Sequence, residues 1–457
     1  QLRQLDPQPM RLLPKPHLSA PRWSPRATRR LRQLGPQPTR LLPKPHLSAP
    51  RMEPTRNPSG NPTTPPTGSP TNAPSTQTPS VSPTMEPTRN PSTPPTGSPT
   101  KGPSDVVTTY VPGDLTVSCD KTLEGGPNLT LSTGLACRLL STRGQRIQFD
   151  NGAQSSVNMH TRPDGATVIP DYSDGGWFYM SNAERGNNNG LVGALRFNST
   201  GHLIEYKKHL TTNRNCGGGR TPWNTWVSCE EYSGAGWCHE VDPNTDFTQQ
   251  IKVTKFGGNY ESFAYDDQDS NVQGNTRYFV TEDSADGVLT RYTPGANAFL
   301  SGEKYDILSS DGGTHEFLIL DPTTGTFSWT MNVEEGRENA NDYFPNAEGI
   351  DCHNRMLNFV SKKRKRLFTL DLKDGTYTDV TTESGLFNLE PDQIGRVVGD
   401  AEILYFAEDG GTNCDIHGRD STGQYFTIVE DDNFYNSETS GLAFSPDGKF
   451  FLCSISG

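Results

Sequence analysis

Residues 441–455 read GLAFSPDGKFFLCSI: two stretches in which apolar and other residues alternate, joined by Pro-Asp-Gly. Alternation of period two puts every second side chain on one face of a strand, and Pro-Asp-Gly reverses the chain, so the stretch predicts a β-hairpin. Towards the N-terminus the same grammar recurs in EILYFAED (402–409), RLFTLDL (366–372), TFSWTMNV (326–333), GVLTRYTPG (287–295), RYFVTED (277–283) and LVGALRF (191–197). Turns rich in Gly, Asn and Asp separate these runs, and hardly any segment follows a helical period. Residues 105–457 are therefore 353 residues of short antiparallel strands, too long for one sandwich and close to six units of ~50–60 residues. The expected fold class is all-β: a six-bladed β-propeller preceded by a disordered Pro/Ser/Thr-rich arm.

That arm comprises residues 1–104. It holds 26 of the 37 prolines and 14 Lys and Arg against 3 Asp and Glu, whereas the other 353 residues carry 27 basic and 50 acidic side chains. RQLDPQPMRLLPKPHLSAPR at 3–22 recurs almost unchanged at 32–51, MEPTRNPS occurs at 52–59 and 85–92, and PPTGSPT at 65–71 and 94–100. Proline at this density removes amide donors and fixes φ, so neither helix nor sheet propagates and a basic, extended stalk is expected. The acidic remainder argues against nucleic acid as a partner and for metal cations. No stretch has the ~18 consecutive apolar residues of a membrane-spanning helix. A monomer is expected.

All eight cysteines lie beyond the arm, at 119, 137, 216, 229, 238, 352, 414 and 453. Cys119 with Cys137 and Cys229 with Cys238 would close short loops, as in a secreted disulfide protein, and Asn128-Leu-Thr and Asn198-Ser-Thr are glycosylation acceptors. Together with a stalk of the kind often O-glycosylated outside the cell, they point to an extracellular or cell-surface protein. The chain begins at Gln1 with no signal peptide in view, so an incomplete N-terminus is expected.

Carboxylates sit at the ends of apolar strands, several beside glycine: Glu184, Glu230, Glu231, Glu261, Glu282, Asp283, Glu348, Glu408 and Asp409. In a propeller the innermost strands converge on a central channel, so such residues meet at its mouth. There they would supply the about six to eight oxygen ligands that calcium takes.

The most specific stretch is NCGGGRTPWNTWVSCEE at 215–231. Three glycines after Cys216 permit close backbone approach, two tryptophans lie three apart, and two acids end a strand. This stretch resembles the PhoX family of calcium-dependent alkaline phosphatases, whose motif reads approximately NCAGG-TPWGTW-TCEE. YMSNAERGNNNGLVGALRF (179–197), GWCHEVDP (236–243), KFGGNYESFAYDD (255–267), TED (281–283), NAEGID (346–351), EPDQI (390–394) and ETSGLAFSPDGKFF (438–451) are similar to further segments of that family.

The resemblance implies a metal-dependent phosphate monoester hydrolase on a six-bladed propeller, with Fe3+ and Ca2+ clustered at one mouth and small-molecule phosphate esters as substrates. It assigns Cys216 and Glu231 to iron, Glu261, Asp283 and Glu348 to the rest of the cluster, and Glu230 to its support. Three departures stand out: Asn346 replaces an arginine of the family placed to contact phosphate, Asn224 replaces a glycine, and Tyr260 a histidine. Asn346 and Glu348 are the candidate catalytic residues, and weak activity is expected because asparagine lacks the charge and the fork of a guanidinium. The chain also stops near where the family's last segment continues, so a C-terminally truncated domain over 105–457 is expected. The alternative is a non-catalytic calcium-binding propeller displayed at a cell surface or wall. A calcium-dependent lactonase would need one deep calcium and no thiolate ligand.

Overall fold

The computed structural model describes residues 115–118, 129–266, 276–383, 386–387, 390–397, 403–412, 414–431 and 435–456, all within the second of two compact units, Gly97–Gly457. The proline-rich segment expected to form a stalk lies outside the described residues, as do Cys119 and Asn128. The described chain is all-β. Strands follow one another in antiparallel pairs, interrupted by helices at Asp306–Ser309 and Val333–Tyr343 and by a 3-10 turn at Ala296–Phe299.

The hairpin expected at 441–455 is present: Tyr435–Phe444 pairs with Phe451–Ser456, with Phe444 opposite Phe451. Ser445 closes its turn, accepting from Phe450 N at 3.0 Å and donating to Asp447 Oδ1 at 2.7 Å. Upstream, strands are laid down as meanders, each neighbour in sequence being a neighbour in the sheet. Pro163–Asp171, Gly176–Ala183, Gly190–Phe197 and Leu203–Thr212 form one. Asn215–Arg220, Trp226–Gly236, Cys238–Asp242 and Phe247–Gln250 form the second. Gly258–Tyr265, Tyr278–Glu282, Thr290–Thr293 and Thr314–Asp321 form the third, with Thr326–Thr330 added outside. Ala347–His353, Met356–Ser361, Arg366–Asp371 and Thr376–Thr381 form the fourth. Glu390–Gly395, Leu404–Thr412, Ile416–Arg419 and Tyr425–Asp431 form the fifth.

The first strand of each meander packs on the first strand of the next, and the series closes where Tyr435–Phe444 packs on Pro163–Asp171. Apolar layers fill the spaces between neighbouring sheets. Phe178, Met180 and Val192 meet Trp226 and Val241, Val360 and Leu367 meet Leu404 and Phe406, and Val168, Trp177 and Leu195 meet Ala443 and Leu452, which ties the end of the chain to the first meander. Phe359 lies fully buried in such a layer, stacked on Phe368 with 4.9 Å between ring centroids and edge-on to Phe344 at 5.5 Å. Sheets held by backbone ladders collapse poorly around a void, so Phe359→Ala should cost ~3–5 kcal/mol. A urea midpoint that falls at unchanged slope would record it; a loss below ~1 kcal/mol would mean the layer repacks.

Candidate metal centre

Each inner strand carries a potential ligand in its first residues: Asp164, Cys216, Glu261, Glu348, Asp392 and Glu438. Beside these residues the ladders lose register, between Pro163 and Ala166, Tyr260 and Phe263, Ala347 and Ile350, Pro391 and Ile394, and opposite Cys216 between Ser228 and Glu230. A bulge takes a side chain out of the regular alternation and re-aims it. The residue after the ligand is often glycine because the next inner strand leaves no room for a side chain. A Cβ on Gly165 would stand 2.5 Å from Gly217 Cα, one on Gly217 2.3 Å from Glu261 O, and one on Gly349 2.5 Å from Ile394 N. Asn182 fixes the Cys216 segment, donating to Cys216 O at 2.8 Å and Gly217 O at 2.7 Å while its Oδ1 accepts from Trp226 Nε1 and Ser228 Oγ, both at 2.9 Å.

Glu184, Glu231, Asp283, Lys362 and Asp409 join from the second strands or the residues just after them. Carboxylate oxygens of Glu261, Glu348 and Asp392 lie within 4.8 Å of one another. Cys216 Sγ donates to Asp164 Oδ2 at 3.2 Å, and Gln393 Nε2 donates to the other Asp164 oxygen at 2.8 Å. Lys362 Nζ stands 2.6 Å from Asp409 Oδ2 and 3.1 Å from Glu348 Oε1. Arg214 lies 2.8 Å from Glu184 Oε1 and 3.2 Å from Glu231 Oε2.

Nine carboxyls meet here against Lys362, Arg214 and the more exposed Arg162, which is 3.7 Å from Glu184. Burial, helped by neighbouring acids, pushes several of them up. Asp164 rises to about 8, first by burial and then by Asp392. Asp392 and Glu231 rise to about 7 by burial, against the pull of Lys362 and Arg214 respectively. Glu261, Glu348 and Glu438 are driven well above the carboxylate range, burial leading in each, and the Cys216 thiol rises by burial and then by Asp164. Such a group is at ease only when positive charge enters it. Glu261 Oε1 is buried with no hydrogen-bond partner among the described residues, so its lone pairs are open to a cation. The donors fit cations of two kinds, since carboxylates suit calcium and a thiolate suits a transition metal.

Of the residues singled out by sequence, Glu184, Cys216, Glu231, Glu261, Asp283, Glu348 and Asp409 come together. Glu230 does not join them: its carboxylate accepts from Asn213 N at 2.8 Å and Trp237 N at 3.0 Å, so it braces the strands that carry its neighbour. Glu282 turns to Arg337 at 3.3 Å. Asn346 lies beside the group in the left-handed region, φ 54°, and donates to Asp283 Oδ1 at 2.6 Å. Asp164, Lys362, Asp392 and Glu438 were not singled out. Cys229 and Cys238 face each other as buried free thiols with sulfurs 3.1 Å apart, while Cys137 is disulfide-bonded.

A family model described as alkaline phosphatase PhoX matches residues 192–234, the span that contains Cys216, Glu230 and Glu231. No curated protein matches the chain. Similar solved structures include virginiamycin B lyase from Staphylococcus aureus, 14% identical over 72% of this chain and 88% of that one with a TM-score of 0.39. Another is a periplasmic gluconolactonase from Pseudomonas aeruginosa, 14% identical over 69% of this chain and 87% of that one with a TM-score of 0.40.

Proposed function

We propose that this chain, PhoX-like over residues 192–234, is a phosphate monoester hydrolase on a six-bladed β-propeller, with iron and calcium held at the mouth of its ring of inner strands. One observation carries the reading: Cys216, Glu231, Glu261, Asp283 and Glu348, drawn from three different meanders, join one buried acidic group. Cys216 and Glu231 would hold iron; Glu261, Asp283 and Glu348 would hold calcium together with Asp164, Asp392 and Glu438. Bound there, the cations would neutralise charge on a phosphoryl group during transfer. The chain adds Lys362. Burial opposes its charge, but Glu348, Asp392 and Asp409 more than restore it, so it stays protonated where Asn346 offers no cation. A location at the cell surface or outside the cell, as a monomer, belongs to the same proposal.

The test is hydrolysis of a chromogenic phosphate monoester with and without chelator, beside elemental analysis of the same preparation. Iron, calcium and chelator-sensitive turnover together are expected. Asn346 favours a second reading, a non-catalytic calcium-binding surface module, because an uncharged amide already bonded to Asp283 is a poor phosphate clamp. Asn346→Arg separates the two. A restored charge-assisted contact of ~1.5–3 kcal/mol should raise kcat/KM roughly tenfold to hundredfold, at ~1–2 kcal/mol of stability for a longer side chain at positive φ. Full metal content with no detectable turnover in this variant would select the second reading.

A further inference from the structure

A second group of donors lies in the fifth meander, apart from the centre just described. Glu408 is the neighbour of Asp409 on one strand, and alternation sends the two side chains to opposite faces: Asp409 to Lys362, Glu408 to Asp415 and His417. Donor atoms of Glu408, Asp415 and His417 lie within 4.8 Å of one another, and all three residues are buried. His417 is fully buried, yet its Nε2 has no hydrogen-bond partner among the described residues. Glu408 Oε2 stands 3.3 Å from it and accepts from Asp415 N at 3.1 Å. The other ring nitrogen is engaged: Nδ1 is 2.9 Å from Thr427 Oγ1, and Phe387 covers the ring at 4.3 Å between centroids. In the tautomer in which Nδ1–H donates to Thr427, Nε2 would present a lone pair to the Glu408 carboxylate, and a cation between them would satisfy both.

We infer that Glu408, Asp415 and His417 bind a divalent first-row transition cation of the zinc type, independent of the iron–calcium centre. One imidazole and two carboxylates suit zinc, which bonds both at ~2.0–2.2 Å, so its ligand atoms fall within ~4.4 Å of one another, inside the 4.8 Å that bounds these. Calcium takes oxygen donors and would leave the imidazole unused. Because Glu408 and His417 lie on adjacent strands of one sheet and Asp415 directly precedes the second, the ion would pin the strand Ile416–Arg419, whose pairing with Tyr425–Asp431 slips between Ile416 and His417, to Leu404–Thr412.

The test uses the full chain, stripped with chelator, reloaded with Fe3+ and Ca2+, and then titrated with Zn2+ and, separately, with Co2+ as a spectroscopic stand-in. The expected result is one zinc whose X-ray absorption shows nitrogen and oxygen neighbours with imidazole outer-shell scattering. Co2+ should give visible ligand-field bands that persist in Glu261→Gln. Both signals should vanish, with affinity falling at least ~tenfold, in His417→Gln and in Asp415→Asn. Sulfur in the zinc shell would place the ion at a cysteine and overturn the assignment. So would zinc content in a folded His417→Gln or Asp415→Asn protein equal to that of the parent. The X-ray measurement needs no variant, so misfolding of either cannot rescue the inference.

Discussion

Calcium added back to the chelated protein should raise its melting temperature by several degrees near pH 8.5 and far less near pH 5. The sign follows from carboxyls raised in the folded state. Asp164 titrates at about 8 and Asp392 and Glu231 at about 7 when folded without metal, against ordinary carboxylate values near 4 in the unfolded chain. Below pH ~4 both states hold these protons, and the contribution to stability is fully present. Between pH ~4 and ~8 the folded state keeps protons that the unfolded state has lost, so the metal-free protein loses stability as pH rises, by ~1.4 kcal/mol per pH unit for each such proton. Cations act the other way. They take the deprotonated groups, so their contribution grows with pH, and a site at about a hundred times its dissociation constant adds ~2.7 kcal/mol. Comparing chelated with calcium-loaded protein at each pH cancels carboxyls elsewhere on the molecule. A calcium-induced shift equal at both pH values, or absent from both, would mean that these side chains do not share an ion.

How much of this was legible beforehand depends on whether a local pattern carried the signal. The hairpin at 441–455 was, because its alternation reports a half-buried strand directly. The helix Val333–Tyr343 was not, since TFSWTMNV reads as strand to its end. Asn332 caps that helix by accepting from Glu334 N at 3.2 Å, but its buried face is Gly336 and Ala340, so no apolar period marks it. A Cβ on Gly336 would come within 2.7 Å of Phe317 Cβ, which is why the face is bare. The site shows the same limit. Pro-Asp-Gly occurs twice: at 446–448 it is a turn, while at 163–165 it opens an inner strand and sets Asp164 in the centre. Nothing within the tripeptide distinguishes the two. What decides is the neighbouring inner strand pressed against Gly165, a contact 52 residues away in sequence at Gly217. Lys362 heads the basic run 362–366, and nothing in the run distinguishes it from its neighbours.

Cys216→Ser should abolish iron binding and phosphomonoester turnover together and leave the fold intact. In the metal-free protein the thiol is held protonated by burial and by Asp164, to which it donates at 3.2 Å. A hydroxyl can make the same bond, and Asn182 still fixes the backbone through Cys216 O and Gly217 O, so the ring has little reason to open. Metal binding is another matter. Only a strong cation can draw off a proton held this firmly, and a thiolate is a soft ligand that rewards a transition metal for doing so; a serine hydroxyl, far less acidic and harder, is not. Calcium, served by carboxylates, should be retained in part. Cys352 supplies the control: it lies on the strand of Glu348 but packs against the apolar layer, and Cys352→Ser should change neither iron content nor turnover. Far-UV circular dichroism, elemental analysis and monoester kinetics on the two variants decide the matter. Iron retained at parental level in Cys216→Ser would remove the thiolate from the centre, and with it the strongest chemical reason to place iron among these carboxylates rather than calcium alone.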